Sequence, residues 1–147
     1  MTISIGSDHA GYAYKEELKS MLSALGHDVI DVGTESEDSV DYPDYGIAAA
    51  ALVRDDKADY AVLICGSGIG ISIAANKLQG IRAANCTSVE MAQLARQHNN
   101  ANVVAVGQRL VSLELAKEIV SAFLSTPFEG GRHQRRVDKL NGSGALS

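Results

Sequence analysis

No run of apolar residues in this 147-residue chain approaches the roughly 20 needed to cross a bilayer, so a membrane-spanning helix is excluded. Basic residues are in deficit. Thirteen Lys and Arg against 18 Asp and Glu leave a net charge of −5, which argues against a nucleic-acid backbone as the main partner. Cysteine is scarce too: only Cys65 and Cys86 occur, with no CxxC pair and no spacing suited to zinc. The chain enters a strand pattern at once, so no signal peptide is expected, and a cytoplasmic protein with free thiols follows. Internal repeats and low-complexity tracts are missing. What is present, 46% hydrophobic and 21% charged residues, suits one globular domain with a sizeable core.

The most informative stretch runs from Tyr60 to Lys77. It opens as the apolar run Tyr60–Cys65, the pattern of a strand buried on both faces. Three glycines at alternate positions follow, Gly66, Gly68 and Gly70, and then a small, apolar segment, Ile71–Asn76, that reads as a buried helix. A glycine-rich turn between strand and helix leaves backbone N–H groups converging on one spot, where the helix dipole adds positive charge. Such a spot suits an anion, and Cys65 stands at its mouth.

Familiar glycine loops fail here. A dinucleotide fingerprint needs glycine at the sixth position, where Ile71 stands, and no Gly-Lys-Ser/Thr ending marks a P-loop. Cysteine phosphatases need an arginine six residues after the nucleophile, and that place is again Ile71. What remains is a thiol beside an oxyanion pocket without a built-in cation.

Around this stretch, strands and helices alternate. Strands are expected at Thr2–Gly6, Asp28–Gly33, Tyr60–Cys65, Ile81–Cys86 and Asn102–Gly107. Tyr14, Leu18, Met21, Leu22 and Leu25 recur at helical spacing, with Gly26 as a stop. An acidic loop spans Thr34–Tyr45, and an alanine-rich helix covers 46–54. Thr87–Glu90 reads as a capping box opening a helix on which Met91, Leu94, Ala95 and His98 share a face. Helices at Ser112–Leu124 and around Arg132–Leu140 complete the order, before a tail, 141–147, expected to be flexible. The fold class is therefore α/β: one domain, residues 1–140, as a Rossmann-like open parallel sheet of five strands with helices on both faces. Ligands of such sheets bind beyond the carboxyl ends of the strands, where Asp8-His9, Cys65 and Gln108-Arg109 all fall.

Each candidate has a plainer alternative. Cys65 is either a buried small hydrophobe or a thiol activated at a helix N-terminus, whereas Cys86 has no such setting and reads as core. His98 is either the polar end of an amphipathic helix or an acid. Its helix should end at the amino edge of the sheet, far from Cys65 of the same chain. Either that helix is displaced or a second subunit supplies His98, and the second reading, a homodimer, is preferred. Arg132, Arg135 and Arg136 are surface charges or a phosphate grip, Arg132 and Arg136 lying one helical turn apart. Asp8-His9 caps a helix or meets a ligand; Asp41 has a weaker claim, and Tyr42 packs a loop or stacks on a sugar. Together these residues suggest a small phosphorylated, oxygen-rich ligand and proton abstraction next to a carbonyl.

Several blocks carry a family resemblance: Asp8-His9, Asp41-Tyr42-Pro43, the run from Cys65 to Lys77, Arg96-Gln97-His98-Asn99, and the stretch from Glu129 to Arg136. The chain resembles, nearly end to end, the type B ribose-5-phosphate isomerases, whose family also contains galactose-6-phosphate isomerase subunits. The resemblance implies interconversion of ribose 5-phosphate and ribulose 5-phosphate, a step of the pentose phosphate pathway, through an enediolate and without metal or cofactor. It implies Cys65 as the base, the amides of Gly66, Ser67, Gly68, Ile69 and Gly70 as the anion hole, and His98 as the ring-opening residue. Asp8, His9 and Asn99 match sugar contacts, and Arg109, Arg132 and Arg136 match the phosphate and substrate clamp. Some relatives use glutamate as base, and many have threonine where Ser67 stands; the cysteine form is intact here. The family also implies homodimers, or higher oligomers of them, with sites between subunits. Alternatives are a six-carbon substrate, allose or galactose 6-phosphate, and a non-catalytic sugar-phosphate sensor.

Overall fold

The computed structural model describes residues 1–142. Five strands form the sheet: β1 (Thr2–Ser7), β2 (Asp28–Asp31), β3 (Tyr60–Cys65), β4 (Ala83–Asn85) and β5 (Val103–Gly107). Six helices surround it: α1 (Tyr12–Ala24), α2 (Tyr42–Arg54), α3 (Ile69–Asn76), α4 (Val89–Asn99), α5 (Leu113–Ser125) and α6 (Arg132–Leu140). All strand pairs are parallel, in the order β2-β1-β3-β5-β4. The expected α/β sheet is thus present, with all five strands.

The order dictates which helix covers which face. Alternate residues of the central strands point to opposite sides. Ile3, Ile5, Val62, Ile64, Val104 and Val106 pack with Leu18, Leu22, Ala92, Ile119 and Phe123, placing α1, α4 and α5 on one face. Ala61, Leu63, Cys65, Val103 and Ala105 pack with Ala49, Val53, Ile71 and Ala75, placing α2 and α3 on the other. Connections running toward β4 carry α2 and α3, and those running back carry α1 and α4. That division is what right-handed crossovers require. The connection after β1 steps toward β2 and the one after β3 toward β4, so the loops at their carboxyl ends part on opposite faces of the sheet.

Several local expectations are corrected. α2 starts at Tyr42, four residues before the expected start at Gly46, because Pro43 fits the first turn of a helix, where its missing N–H costs nothing. The cap of α4 is Ser88, whose Oγ accepts the Met91 N–H at 3.1 Å; Thr87 bonds Met91 Sδ instead, so no capping box forms on Thr87. The buried face of α4 is Ala92, Ala95 and Arg96, while Met91 and Leu94 are exposed. α3 is buried only on one side: Ile69 and Ile73 remain more than half exposed. β2 and β4 are shorter than the expected Asp28–Gly33 and Ile81–Cys86, as suits edge strands. Of the tail, Asn141 accepts a 2.6 Å hydrogen bond from Arg82; residues 143–147 lie outside the described ones.

Candidate active site

A cleft of about 540 Å³ opens at the carboxyl edge between β1 and β3, lined by Asp8, His9, Tyr42, Cys65, the glycine loop and Arg109. Each wall has a local cause. Asp8 directly follows β1 and caps a short 3-10 turn, His9–Gly11, accepting the N–H groups of Ala10 (3.0 Å) and Gly11 (3.1 Å) through Oδ1. Asp8 thus serves as cap and cleft wall at once. His9 accepts the Val40 N–H on Nδ1 at 3.2 Å, which ties the acidic loop to the cleft. Tyr42 packs against the glycine loop so closely that a side chain on Gly70 would meet its ring at 2.6 Å. Asp41 is exposed at the N-terminus of α2, makes no capping hydrogen bond and is not a lining residue.

Cys65 ends β3 at the floor. It is 4% exposed and packs with Leu63, Ala105 and Ile71, yet its sulfur faces the loop: the Gly68 N–H donates to Sγ at 3.1 Å. That bond needs Gly68 at φ +78°, a left-handed conformation in which a side chain would also strike Asn85. The loop is held against β5, where a side chain on Gly107 would come within 2.5 Å of the Ser67 backbone. Two of the five loop amides are engaged within the loop itself, Gly68 with Cys65 and Ile69 with the Ser67 hydroxyl at 3.2 Å. Arg109 follows β5 and donates its backbone N–H to the Gly66 carbonyl; a side chain on Gly66 would lie 3.0 Å from its guanidinium. A cation therefore stands beside a loop that carries none.

His98, Asn99, Arg132 and Arg136 are not in this cleft. α4 runs from the carboxyl end of β4 to the amino end of β5, so it delivers His98 and Asn99 to the opposite edge of the sheet. The five residues of β5 alone make that separation about 16 Å. Asn99 borders a second cavity with Arg82 and Leu140, and Arg132 and Arg136 are exposed on α6. His98 stacks on His133, ring centroids 4.4 Å apart at 14°. Nε2 of each ring lies near Glu129 Oε1, at 3.9 Å from His98 and 3.6 Å from His133. Burial, then His98 and Arg132, push the His133 imidazole below its ordinary range, against the upward pull of Glu129. Near-parallel rings aim their lone pairs in parallel planes rather than at one point about 2 Å from both, so the cluster is not shaped for a metal ion.

The candidate residues thus fall into two groups on opposite edges, one bearing a thiol and an anion loop, the other imidazoles and arginines. A family model described as ribose/galactose isomerase matches residues 3–140, a span holding both groups. The chain belongs to the ribose/galactose isomerase family. The ribose-5-phosphate isomerase B of Escherichia coli (strain K12) is 51% identical over 94% of this chain and 93% of its own length. A ribose-5-phosphate isomerase B structure from Clostridium thermocellum superposes with a TM-score of 0.95 at 51% identity, covering 96% of this chain and 95% of that one. The corresponding Thermotoga maritima enzyme gives 0.93 at 51% identity, over 95% and 97%.

Sequence reasoning singled out the stretches holding Gln108 and Glu129 but gave neither side chain a role. Gln108 Oε1 accepts the Tyr14 N–H at 3.0 Å, and the Tyr14 hydroxyl donates to the Val111 carbonyl at 2.8 Å. Together they staple the first turn of α1 to the loop carrying Arg109. No local pattern announces a bond across 94 residues.

Proposed function

We propose that this chain interconverts D-ribose 5-phosphate and D-ribulose 5-phosphate, with Cys65 as the base. The observation carrying the proposal is the Cys65 sulfur, set at the floor of an open cleft and facing the amides of a glycine loop. As a thiolate it takes the C2 proton of the open-chain aldose and returns one to C1, while a proton passes from O2 to O1. The enediolate between these steps carries negative charge on oxygen, and backbone donors fixed in advance stabilise it without reorganising. The names of the E. coli, C. thermocellum and T. maritima relatives support this substrate pair.

The separation of the two groups of residues supports a homodimer in which a partner brings His98, Arg132 and Arg136 to the cleft. A cleft with Arg109 as its one lining arginine holds a phosphate only weakly, and an imidazole that opens the sugar ring must reach the same ligand. Ile47 of α2 and Ile69 and Ile73 of α3 stand exposed beside this edge, an apolar patch that a second copy would cover. In this reading Asn99 contacts the sugar with Asp8 and His9.

Turnover of ribose 5-phosphate in deuterium oxide tests the chemistry. Solvent deuterium should appear at C1 of the product ketose, and Cys65→Ala should abolish turnover while sugar-phosphate binding survives. A product free of solvent deuterium would indicate hydride shift, and a Cys65→Ala variant near full activity would move the base elsewhere.

A further inference from the structure

We propose that Glu129 is a positioning residue for ring opening: its carboxylate holds the His98–His133 stack so that the two rings carry one proton between them, presented at Nε2. The proposal rests on the ring-opening role given to His98 above.

The geometry begins with the strap between α5 and α6. Arg96, 5% exposed, donates from Nε to the Thr126 carbonyl at 3.1 Å and from Nη1 to Asn100 Oδ1 and the Ala101 carbonyl. Its guanidinium lies over the Tyr60 and Phe123 rings, so it cannot drift. Three residues on, the Glu129 N–H donates to the Gln97 carbonyl at 3.1 Å. The strap is tied to α4 at both points, and Glu129 is set under the end of that helix. Gly130 and Gly131, both at positive φ, then turn the chain into α6, where the His133 N–H closes on the Gly130 carbonyl. Two histidines from different helices thereby stack over a single carboxylate oxygen.

Charge determines what this arrangement does. The groups facing the stack are Glu129 from the strap, Arg132 and Arg136 from α6, and each ring from the other's helix; Arg96 beneath α4 is turned to the carbonyls named above. Two imidazolium rings 4.4 Å apart, with arginines nearby, repel strongly. One carboxylate compensates one positive charge, so the cluster favours a single shared proton. At 3.6 and 3.9 Å the contacts are ion pairs longer than hydrogen bonds, which leaves the Nε2 proton free to be donated. In ring opening the C1–O4 bond of the furanose breaks, O4 takes the proton from His98, and the C1 hydroxyl proton leaves to water as the aldehyde forms.

Glu129 is half exposed, so Glu129→Gln should fold normally. Ribulose 5-phosphate cannot close a five-membered ring, because its C5 oxygen bears the phosphate. Exchange of its C1 proton in deuterium oxide therefore reports the enediolate step without ring opening. Glu129→Gln should convert ribose 5-phosphate about 10–100-fold more slowly with KM nearly unchanged, while that exchange stays within about twofold of the unsubstituted enzyme. The falling limb of its pH–kcat profile should move to lower pH, and Glu129→Asp should restore part of both. Exchange falling in parallel with turnover would overturn the proposal, as would unaltered turnover in a series where His98→Asn is impaired. A His98→Asn enzyme that opens the ring at full rate would instead remove the histidine assignment, and this proposal with it.

Discussion

Cys65 and Cys86 are both free and both buried, yet one touches the cleft and the other touches nothing reactive. Burial among Ala92, Val104 and their neighbours pushes the Cys86 thiol up to about 11, so it stays neutral and behaves as a small hydrophobe. Cys86→Ala should therefore leave kcat within about twofold and lower unfolding stability by ~1 kcal/mol, the cost of a small core cavity. Thiol-alkylation kinetics provide a second check, since inactivation should track modification of Cys65 alone. Arg136 makes a different kind of contribution. Phosphate is gripped alike in ground and transition states, so Arg136→Ala should chiefly raise KM, measured with ribose 5-phosphate. A large fall in kcat at constant KM would remove it from the clamp. Cys65 and its loop were legible in the sequence because the contact that turns its sulfur to the loop lies within three residues of Cys65 and the glycine pattern is local. Glu129 was not, since its partners come from α4 and α6 and two glycines erase any helical period between them.

At the scale of elements, buried charge and capping set the framework around the cleft. Lys15 of α1 is fully buried and donates to Asp31 at the end of β2 (2.7 Å) and to Glu16 (3.0 Å), while Lys19 reaches the same Asp31 oxygen at 2.9 Å. Burial raises the Asp31 pKa, but the bonds from Lys15, Lys19 and the Gly33 N–H outweigh it and hold the carboxyl below its usual range. A carboxyl depressed in the folded state lends stability above its unfolded pKa of about 3.9, and that stability is lost as pH falls through the folded value. Asp31→Asn should cost ~2 kcal/mol near neutral pH by leaving the buried Lys15 ammonium with the half-exposed Glu16 as its one ion-pair partner, and should flatten the acid limb of the stability curve below about pH 5. Urea melts between pH 3 and 7 would show this; parallel curves would contradict it. In α4, Ser88→Ala should lose ~1 kcal/mol and Thr87→Ala far less, because only Ser88 satisfies a first-turn amide. Apolar patterning and composition placed the five strands and six helices, though not all their bounds, but capping depends on which of two adjacent hydroxyls has the extended backbone. Strand order escaped the sequence for a related reason: β5 inserts between β3 and β4 through long-range pairing that no local segment records.

For the whole molecule, the distance between the two edges of the sheet is the governing fact. A single chain holds Cys65 at one edge and His98 at the other, and no side-chain motion spans that gap. If two copies build each site, the two functions can be repaired in trans. Cys65→Ala and His98→Asn should each be nearly inactive as pure proteins. Co-refolding them in equal amounts makes half the dimers hybrid, and each hybrid has one intact site of two. Activity should therefore recover to about one quarter of the unsubstituted level. Were both residues to act within one chain, the mixture would stay as inactive as its components. An Ile73→Glu substitution, placed on the exposed side of α3, gives the complementary result. It should shift the protein to monomer in sedimentation and abolish turnover while leaving the helical circular dichroism intact, since Ile73 does not belong to either core cluster. Loss of activity without dissociation would place the interface elsewhere, and the repair experiment would then decide alone whether the site is shared.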